Sequence, residues 1–316
     1  MIKKNNWKAW LYLAPTIILM AIFTFYPLIN TIGISFLKNY NYLTATSDGF
    51  TFDNYGYVLG IVPKVYKNGS DTMYLYYTDV IKYALPNTLF ITFVTVPISV
   101  LLSLLISVGL NSIKWFKKIM QTIFFVPYVT NAIAVGMVFG VIFADKGLWN
   151  YIFQLGQQHW IDSSSFGNPS DWGHAMFALC FYIIWHSLPF KILIFLSGLQ
   201  NIDKQYYDAA KIDCAGKWKT FWKITVPLLS PQILYVMITS FIAAFKEYNS
   251  IIGLFGASNA GWYTGSHDLY TVVYYVYDCI SDGNVQLGAA AAVMLFLIIM
   301  LFTAIQFWLS KKRVHY

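Results

Sequence analysis

The chain has 316 residues, 58% of them apolar and only 11% charged, with a formal net charge of +7. Soluble domains carry about 25% charged residues, so a water-covered globular enzyme is excluded and a polytopic membrane protein is indicated. The positive charge sits in loops that flank apolar segments and forms no basic-aromatic groove, so nucleic acid is not implied as a partner.

Crossing about 30 Å of hydrocarbon takes roughly 20 helical residues. Six stretches are long enough: 10–36, 87–110, 119–143, 175–196, 228–255 and 287–309. Their continuous apolar character predicts helices, since barrel strands are short and alternate. Pro15, Pro27, Pro97 and Pro189 are tolerable there, because neighbouring helices repair the freed hydrogen bonds. The expected architecture is one all-α membrane domain over 1–316. The first run follows Lys3-Lys4 as a signal peptide would. It is too long for one, and no small-residue cleavage site follows Leu37, so a retained helix is expected.

Between the runs, segment 38–86 is polar with turn signals at Asp48-Gly49 and Asn68-Gly69. Segment 145–174 carries Ser163, Ser164 and Ser165 and then Gly167-Asn168-Pro169. Segment 256–286 carries Tyr263, Tyr270, Tyr274, Tyr275 and Tyr277, read more readily as an interfacial belt than as a binding face. With an internal N-terminus, fourteen of the 21 Lys and Arg fall on the inner side, Lys3, Lys4, Lys114, Lys117, Lys118, Lys311, Lys312 and Arg313 among them, and ten of the 14 carboxylates on the outer side. Both termini are therefore expected in the cytoplasm. Cys180, Cys214 and Cys279 fall in different layers, which implies neither a disulfide framework nor a metal site. No internal repeat is evident, which disfavours inverted-repeat transporters.

The inner segment 199–226 is the longest on its side. Asp203 is a suitable N-cap, residues 204–215 suit a helix, and Gly216 suits a left-handed stop. On that helix Ala209, Ala210, Cys214 and Ala215 make a small-residue face that another backbone can approach. A second short element over 218–223 follows, and Pro227 opens the next span where its missing N–H costs little. An amphipathic segment held on the membrane by Trp218, Phe221 and Trp222 is the alternative reading of these residues.

The run Asp208-Ala209-Ala210-Lys211-Ile212-Asp213-Cys214-Ala215-Gly216, with Phe221, Ile224 and Val226-Pro227, resembles the "EAA" loop of bacterial ABC importer permeases. Asp208 stands where that family usually has Glu, Cys214 where it has Gly, and Val226 where it has Leu. Phe25-Tyr26-Pro27, Asn87-Thr88, Pro127-Tyr128, Gly147-Leu148-Trp149-Asn150, Trp185 and Pro189-Phe190 extend the likeness over essentially the whole chain. It is similar to the sugar branch, the MalF/UgpA-type subunit in its compact six-helix form. The resemblance implies the type I importer permease fold in a bacterial cell membrane. Its implied partners are a second homologous permease, an ATP-binding subunit dimer and a lipid-anchored solute-binding protein outside. Asp208, Ala209, Ala210, Asp213, Cys214, Ala215, Gly216 and Pro227 would couple to the ATPase. The chain has no G-x-x-x-x-G-K-[ST] loop, so ATP and Mg would be bound by the partner, and no cofactor, catalytic group or metal is expected here.

A charge inside a membrane helix reads as functional, and Lys246 and Glu247 lie in the run 228–255. Phe245 and Asn249 at i,i+4 would share one face and set an aromatic beside an amide, a combination that suits a sugar. The resemblance implies sugar contact at Phe245, Lys246 and Asn249, and at His186, Ser187 and Phe190 on the fourth run. Lys246 and Glu247 could instead form an ion pair with the second permease, and His186 could bond a neighbouring helix. Lys191 is read as reaching toward the cytoplasmic interface. Import of a mono- or oligosaccharide is the expected function, with an anionic sugar derivative or glycerol-3-phosphate as the alternative. A secondary transporter would not need the long inner loop, and a membrane enzyme would want its scattered histidines clustered.

Overall fold

The computed structural model describes residues 6–68, 71–75, 80–113, 119, 122–123, 126, 128–156, 158–161, 169–256 and 269–310. Expectations that rest on Lys3, Lys4, Lys114, Lys117, Lys118, Lys311, Lys312, Arg313, Gly69, Ser163, Ser164, Ser165, Gly167, Asn168, Pro127 or Tyr263 lie outside the described residues. Helices dominate. The first half carries α1 (Asn6–Met20), α2 (Tyr26–Ser35), α3 (Asp53–Val58), α4 (Leu85–Ser112), α5 (Ala132–Ile142) and α6 (Leu148–Phe153). The second carries α7 (Pro169–Asn201), α8 (Lys204–Ile212), α9 (Lys217–Thr220), α10 (Val226–Leu228), α11 (Ser230–Phe245) and α12 (Asn249–Phe255). It closes with α13 (Val272–Ser281) and α14 (Val285–Ser310).

Among the described residues four helical stretches are long and apolar enough to cross a membrane: Trp10–Ser35, Val80–Ser112, Trp172–Asn201 and Val285–Ser310. Each overlaps an expected run and is set by the same apolar composition. The expected run 228–255 differs. It begins at Ser230, is preceded across a 70° bend by Lys217–Leu228, and is interrupted after Phe245. Of the run 119–143, the described helix is Ala132–Ile142. The all-α expectation also needs correction. A small antiparallel hairpin, β1 (Lys64–Asn68) and β2 (Asp71–Leu75), pairs Asn68 with Asp71, at the Asn68-Gly69 turn signal.

The chain divides into two compact units, the first comprising 1–81 and 275–296. Here the large side chains of the first span, Trp10, Ile17 and Phe23 among them, are exposed, as befits a helix whose solvent is hydrocarbon. Its C-terminal end is pinned by α3. The Asn54 amide donates to the carbonyls of Ser35 and Leu37, each at 2.9 Å. Phe36 stacks on Phe50 at 5.2 Å, and Leu37 bridges Phe50.

The second unit comprises 82–274 and 297–316. Its central pair is α4 and α7. Thr88, Thr92, Thr95, Ser99, Ser103 and Ser107 recur at three- and four-residue spacing on α4, and all are buried. Five of these hydroxyls bond back to carbonyls of their own helix, as with Thr92 to Thr88 and Ser103 to Val100. Small polar side chains that satisfy themselves in this way allow two helices to approach where no water is available. Ser107 also reaches across to the Ile192 carbonyl at 3.2 Å. On another face of α4, Phe93 packs edge-on against Phe241 of α11 and Phe302 of α14. α5 crosses α12 at glycine: a Cβ on Gly136 would lie 2.7 Å from the Gly253 backbone.

Segment 269–274 corrects the belt reading for two of its tyrosines, and Tyr275 is buried as well. Tyr270 and Tyr274 are buried, pack on each other at 5.3 Å, and Tyr274 packs on Tyr248 at 5.7 Å. The Asn87 amide fixes this segment by donating to the Tyr270 carbonyl.

Candidate functional site

A cavity of about 320 Å3 opens inside the second unit, between α4, α7, α11 and the α11–α12 junction. From α7 come His186, Ser187, Phe190 and Lys191, which helical spacing brings to one face. Phe190 stacks on Tyr128 with centroids 5.3 Å apart and planes 16° from parallel. Both rings line the cavity and offer it an apolar platform. Thr95, Thr239, Ser240 and Ser250 add hydroxyls, and Glu247 adds a carboxyl.

The polar side chains are held unequally. Ser187 donates to the Ile184 carbonyl and accepts from Lys191 Nζ at 3.1 Å. Lys191 also donates to Ser99 Oγ at 2.5 Å, across the α4–α7 interface. Lys191 is only 6% exposed and lies about three turns before the end of α7. It does not reach toward the interface as its place in the sequence suggested, because the buried hydroxyl stripe of α4 offers it acceptors at its own depth. His186 Nε2 is buried with no hydrogen-bond partner among the described residues.

Of the sequence-predicted pathway residues, the cavity gathers His186, Ser187, Phe190 and Glu247. Phe245, Lys246 and Asn249 are not among its lining residues. Phe245 is 1% exposed and packs against Phe302 at 5.3 Å. Lys246 and Asn249 are exposed. The expected shared face of Phe245 and Asn249 does not exist, because α11 ends at Phe245 and α12 starts at Asn249, with Tyr248 at φ −147°. Glu247 explains the restart. Its Oε1 accepts the Ser250 N–H at 3.0 Å, and its carbonyl accepts from Thr271 Oγ1 at 3.1 Å. An acidic side chain at the start of a helix offsets the unsatisfied N–H groups there. Sequence reasoning missed Thr95, Lys191, Thr239, Ser240 and Ser250 as lining residues. The stripe of hydroxyls on α4 was the available signal for the first two.

The segment 199–226 is built from local rules. Asp203 caps α8 by accepting the Gln205 N–H at 3.0 Å. The helix ends on Cys214, whose φ of +52° is left-handed. Ala215 N–H then donates to the Ala210 carbonyl at 2.9 Å and Cys214 N–H to the Lys211 carbonyl at 3.1 Å. This pair of bonds closes a helix on a left-handed residue. Gly216, expected to take that conformation, is extended at φ −62° and ψ 156°. Asp208, Ala209, Asp213, Cys214 and Gly216 are exposed, whereas Ala210 is buried and Ala215 and Pro227 are half-buried. The exposed face of α8 and its C-terminal turn therefore contains only part of the expected small-residue patch. It gains Ile212, which is 83% exposed. Asp208 pairs with Lys211 at 2.7 Å on the surface. Phe221 is buried and turns the loop back toward the bundle, while Trp218 and Trp222 are exposed.

Comparison with known proteins places this geometry in context. The sequence profile of the family "Binding-protein-dependent transport system inner membrane component" matches residues 99–315. The chain is 32% identical over 233 residues to the arabinooligosaccharides transport system permease protein AraP of Bacillus subtilis, covering 72% of this chain and 71% of that one. It is 29% identical to the sn-glycerol-3-phosphate transport system permease protein UgpA of Agrobacterium fabrum, covering 99% and 97%. Its fold matches a chain of a bacterial alginate ABC transporter solved with an alginate pentasaccharide-bound periplasmic protein. The TM-score there is 0.73 at 18% identity, covering 98% of this chain and 96% of that one.

Proposed function

We propose, for a chain that belongs to the family of binding-protein-dependent transport system inner membrane components, the role of permease subunit in an ATP-driven importer of carbohydrate. The observation that carries the substrate class is the cavity. It sets a stacked aromatic pair, Tyr128 and Phe190, beside hydroxyls, a lysine and a carboxyl. The apolar faces of a pyranose ring pack on aromatics while its hydroxyls need donors and acceptors. The relatives named for arabinooligosaccharides and glycerol-3-phosphate support the same class, with the phosphate ester as its alternative.

In this reading six helices span the membrane and both termini lie in the cytoplasm, which the lysine bias supports. The sixth crossing requires the run 119–143 and the bent pair around Leu229 each to count as one span. A second permease completes the pathway, a lipid-anchored binding protein delivers substrate from outside, and an ATP-binding subunit docks on α8. Asp208, Ala209, Ile212, Asp213 and Cys214 form the docking face. Closure of the ATPase dimer moves α8, and the buried Phe221 and the Tyr207–Thr225 contact at 3.3 Å carry that movement toward α11. Hydrolysis of ATP belongs to the partner chain.

The reading is tested by reconstituting the four-component system in proteoliposomes and measuring uptake of labelled oligosaccharides and of glycerol-3-phosphate. ATP-dependent uptake of a saccharide supports it. Uptake of neither compound class, with ATP and binding protein present, overturns the substrate assignment.

A further inference from the structure

The two charged residues of the cavity are compensated by different means. The Glu247 carboxylate accepts a backbone N–H from Ser250. Among the described residues, the Lys191 ammonium, almost fully buried, donates only to the neutral hydroxyls of Ser99 and Ser187. Among the described residues it has no carboxylate within 4.0 Å. An ammonium has three N–H donors, so one remains on a residue that lines the cavity. A buried charge without a counter-charge is unfavourable in a membrane domain. An incoming anionic oxygen would supply both the missing acceptor and the missing charge.

A second observation points to a ligand at the same place. His186, five residues before Lys191 on α7 and also lining the cavity, has its Nε2 buried without a partner among the described residues. The stacked rings of Tyr128 and Phe190 lie with these groups. The cavity thus combines a ring platform, an unsatisfied imidazole nitrogen and a cation with a free donor.

We infer that the cavity selects saccharides bearing an anionic group, a carboxylate or a phosphate, and that Lys191 is the residue that holds that group. The inference rests on the carbohydrate reading above and sharpens it. It places that role on Lys191 and not on Lys246, which is exposed and does not line the cavity.

The test uses the permease–ATPase complex in lipid nanodiscs, with ligand binding followed by saturation-transfer NMR at millimolar concentration. The probes are a uronate trisaccharide, its carboxyl-reduced neutral counterpart and a hexose phosphate. At least one acidic probe should bind roughly tenfold more tightly than the neutral trisaccharide, the strength of one charge-assisted hydrogen bond. Which acid wins identifies the anionic group. Lys191→Met should bring acidic and neutral probes to equal binding, and Lys191→Arg should keep the acidic preference. If Lys191→Met fails to fold, the wild-type comparison and the arginine variant still decide. Equal binding of acidic and neutral probes in the wild type overturns the inference and leaves the carbohydrate cavity standing. Binding of no probe overturns both.

Discussion

Gly136 of α5 and Gly253 of α12 meet backbone to backbone: a Cβ on Gly136 would lie 2.7 Å from the Gly253 Cα, and one on Gly253 would lie 3.0 Å from the Ile133 Cα. Nothing flexible separates the two helices, so any side chain there must push them apart. That contact seats α12, and with it the start of the helix that Glu247 holds. Gly136→Ala is therefore expected to destabilise the protein by about 1–3 kcal/mol, the usual cost of overpacking, seen as a lower midpoint in detergent thermal unfolding. Gly109 on α4 has open space around it. Gly109→Ala should leave the midpoint unchanged or raise it. Equal behaviour of the two variants would contradict the close crossing.

Cys214 holds a left-handed backbone at the end of α8, a conformation that costs a non-glycine residue roughly 1–2 kcal/mol. Cys214→Gly should relieve much of that strain and slow hydrogen exchange at the Ala215 amide, which bonds the Ala210 carbonyl. Cys214→Val, β-branched at the same φ, should speed that exchange. The helix stop is thus retained with a residue that tolerates it poorly.

The three free cysteines differ in access. Cys214 is exposed, while Cys180 and Cys279 are buried. A bulky maleimide should label Cys214 first in the isolated chain. In the assembled transporter the labelling of Cys214 should fall at least tenfold, because α8 would be covered by the ATP-binding subunit. Mass spectrometry of tryptic peptides reads both states, and undiminished labelling in the complex would place the ATPase elsewhere.

Much of this arrangement was legible before the structure. Four long apolar runs became four membrane-length helices with ends shifted by a few residues, since length and composition decide them. Asp203 was readable as an N-cap because the chemistry is local. The break after Phe245 was not, as Lys246, Glu247 and Tyr248 include neither Gly nor Pro. It depends on Glu247 meeting Ser250 and Thr271, a tertiary matter. Lys191 was misread for a related reason. Its distance along the helix suggested the interface, but one of the two hydroxyls it bonds, Ser99, lies on α4, 92 residues away in sequence. The hydroxyls at 88, 92, 95, 99, 103 and 107 carried that information as a periodic stripe. The left-handed residue was likewise assigned to Gly216 by propensity, whereas the bonds from Cys214 and Ala215 fix it two residues earlier.

Phe190 and Tyr128 lie nearly parallel at the cavity wall. Phe190→Ala removes the ring platform. Transport assays with the native substrate should show an apparent KM raised roughly threefold to tenfold, in line with the stacking contribution of one aromatic. An unchanged KM would remove the cavity from the substrate pathway.

As proposed above, this chain is the passive membrane part of an ATP-driven importer. Mild-detergent purification of the tagged chain from its native membranes, followed by mass spectrometry, tests it most directly. A P-loop ATPase and a second, homologous permease should be recovered in comparable amounts, with loss of the ATPase when Asp208 and Ile212 on α8 are both replaced by Arg. Recovery of the chain alone, or only with copies of itself, would contradict it.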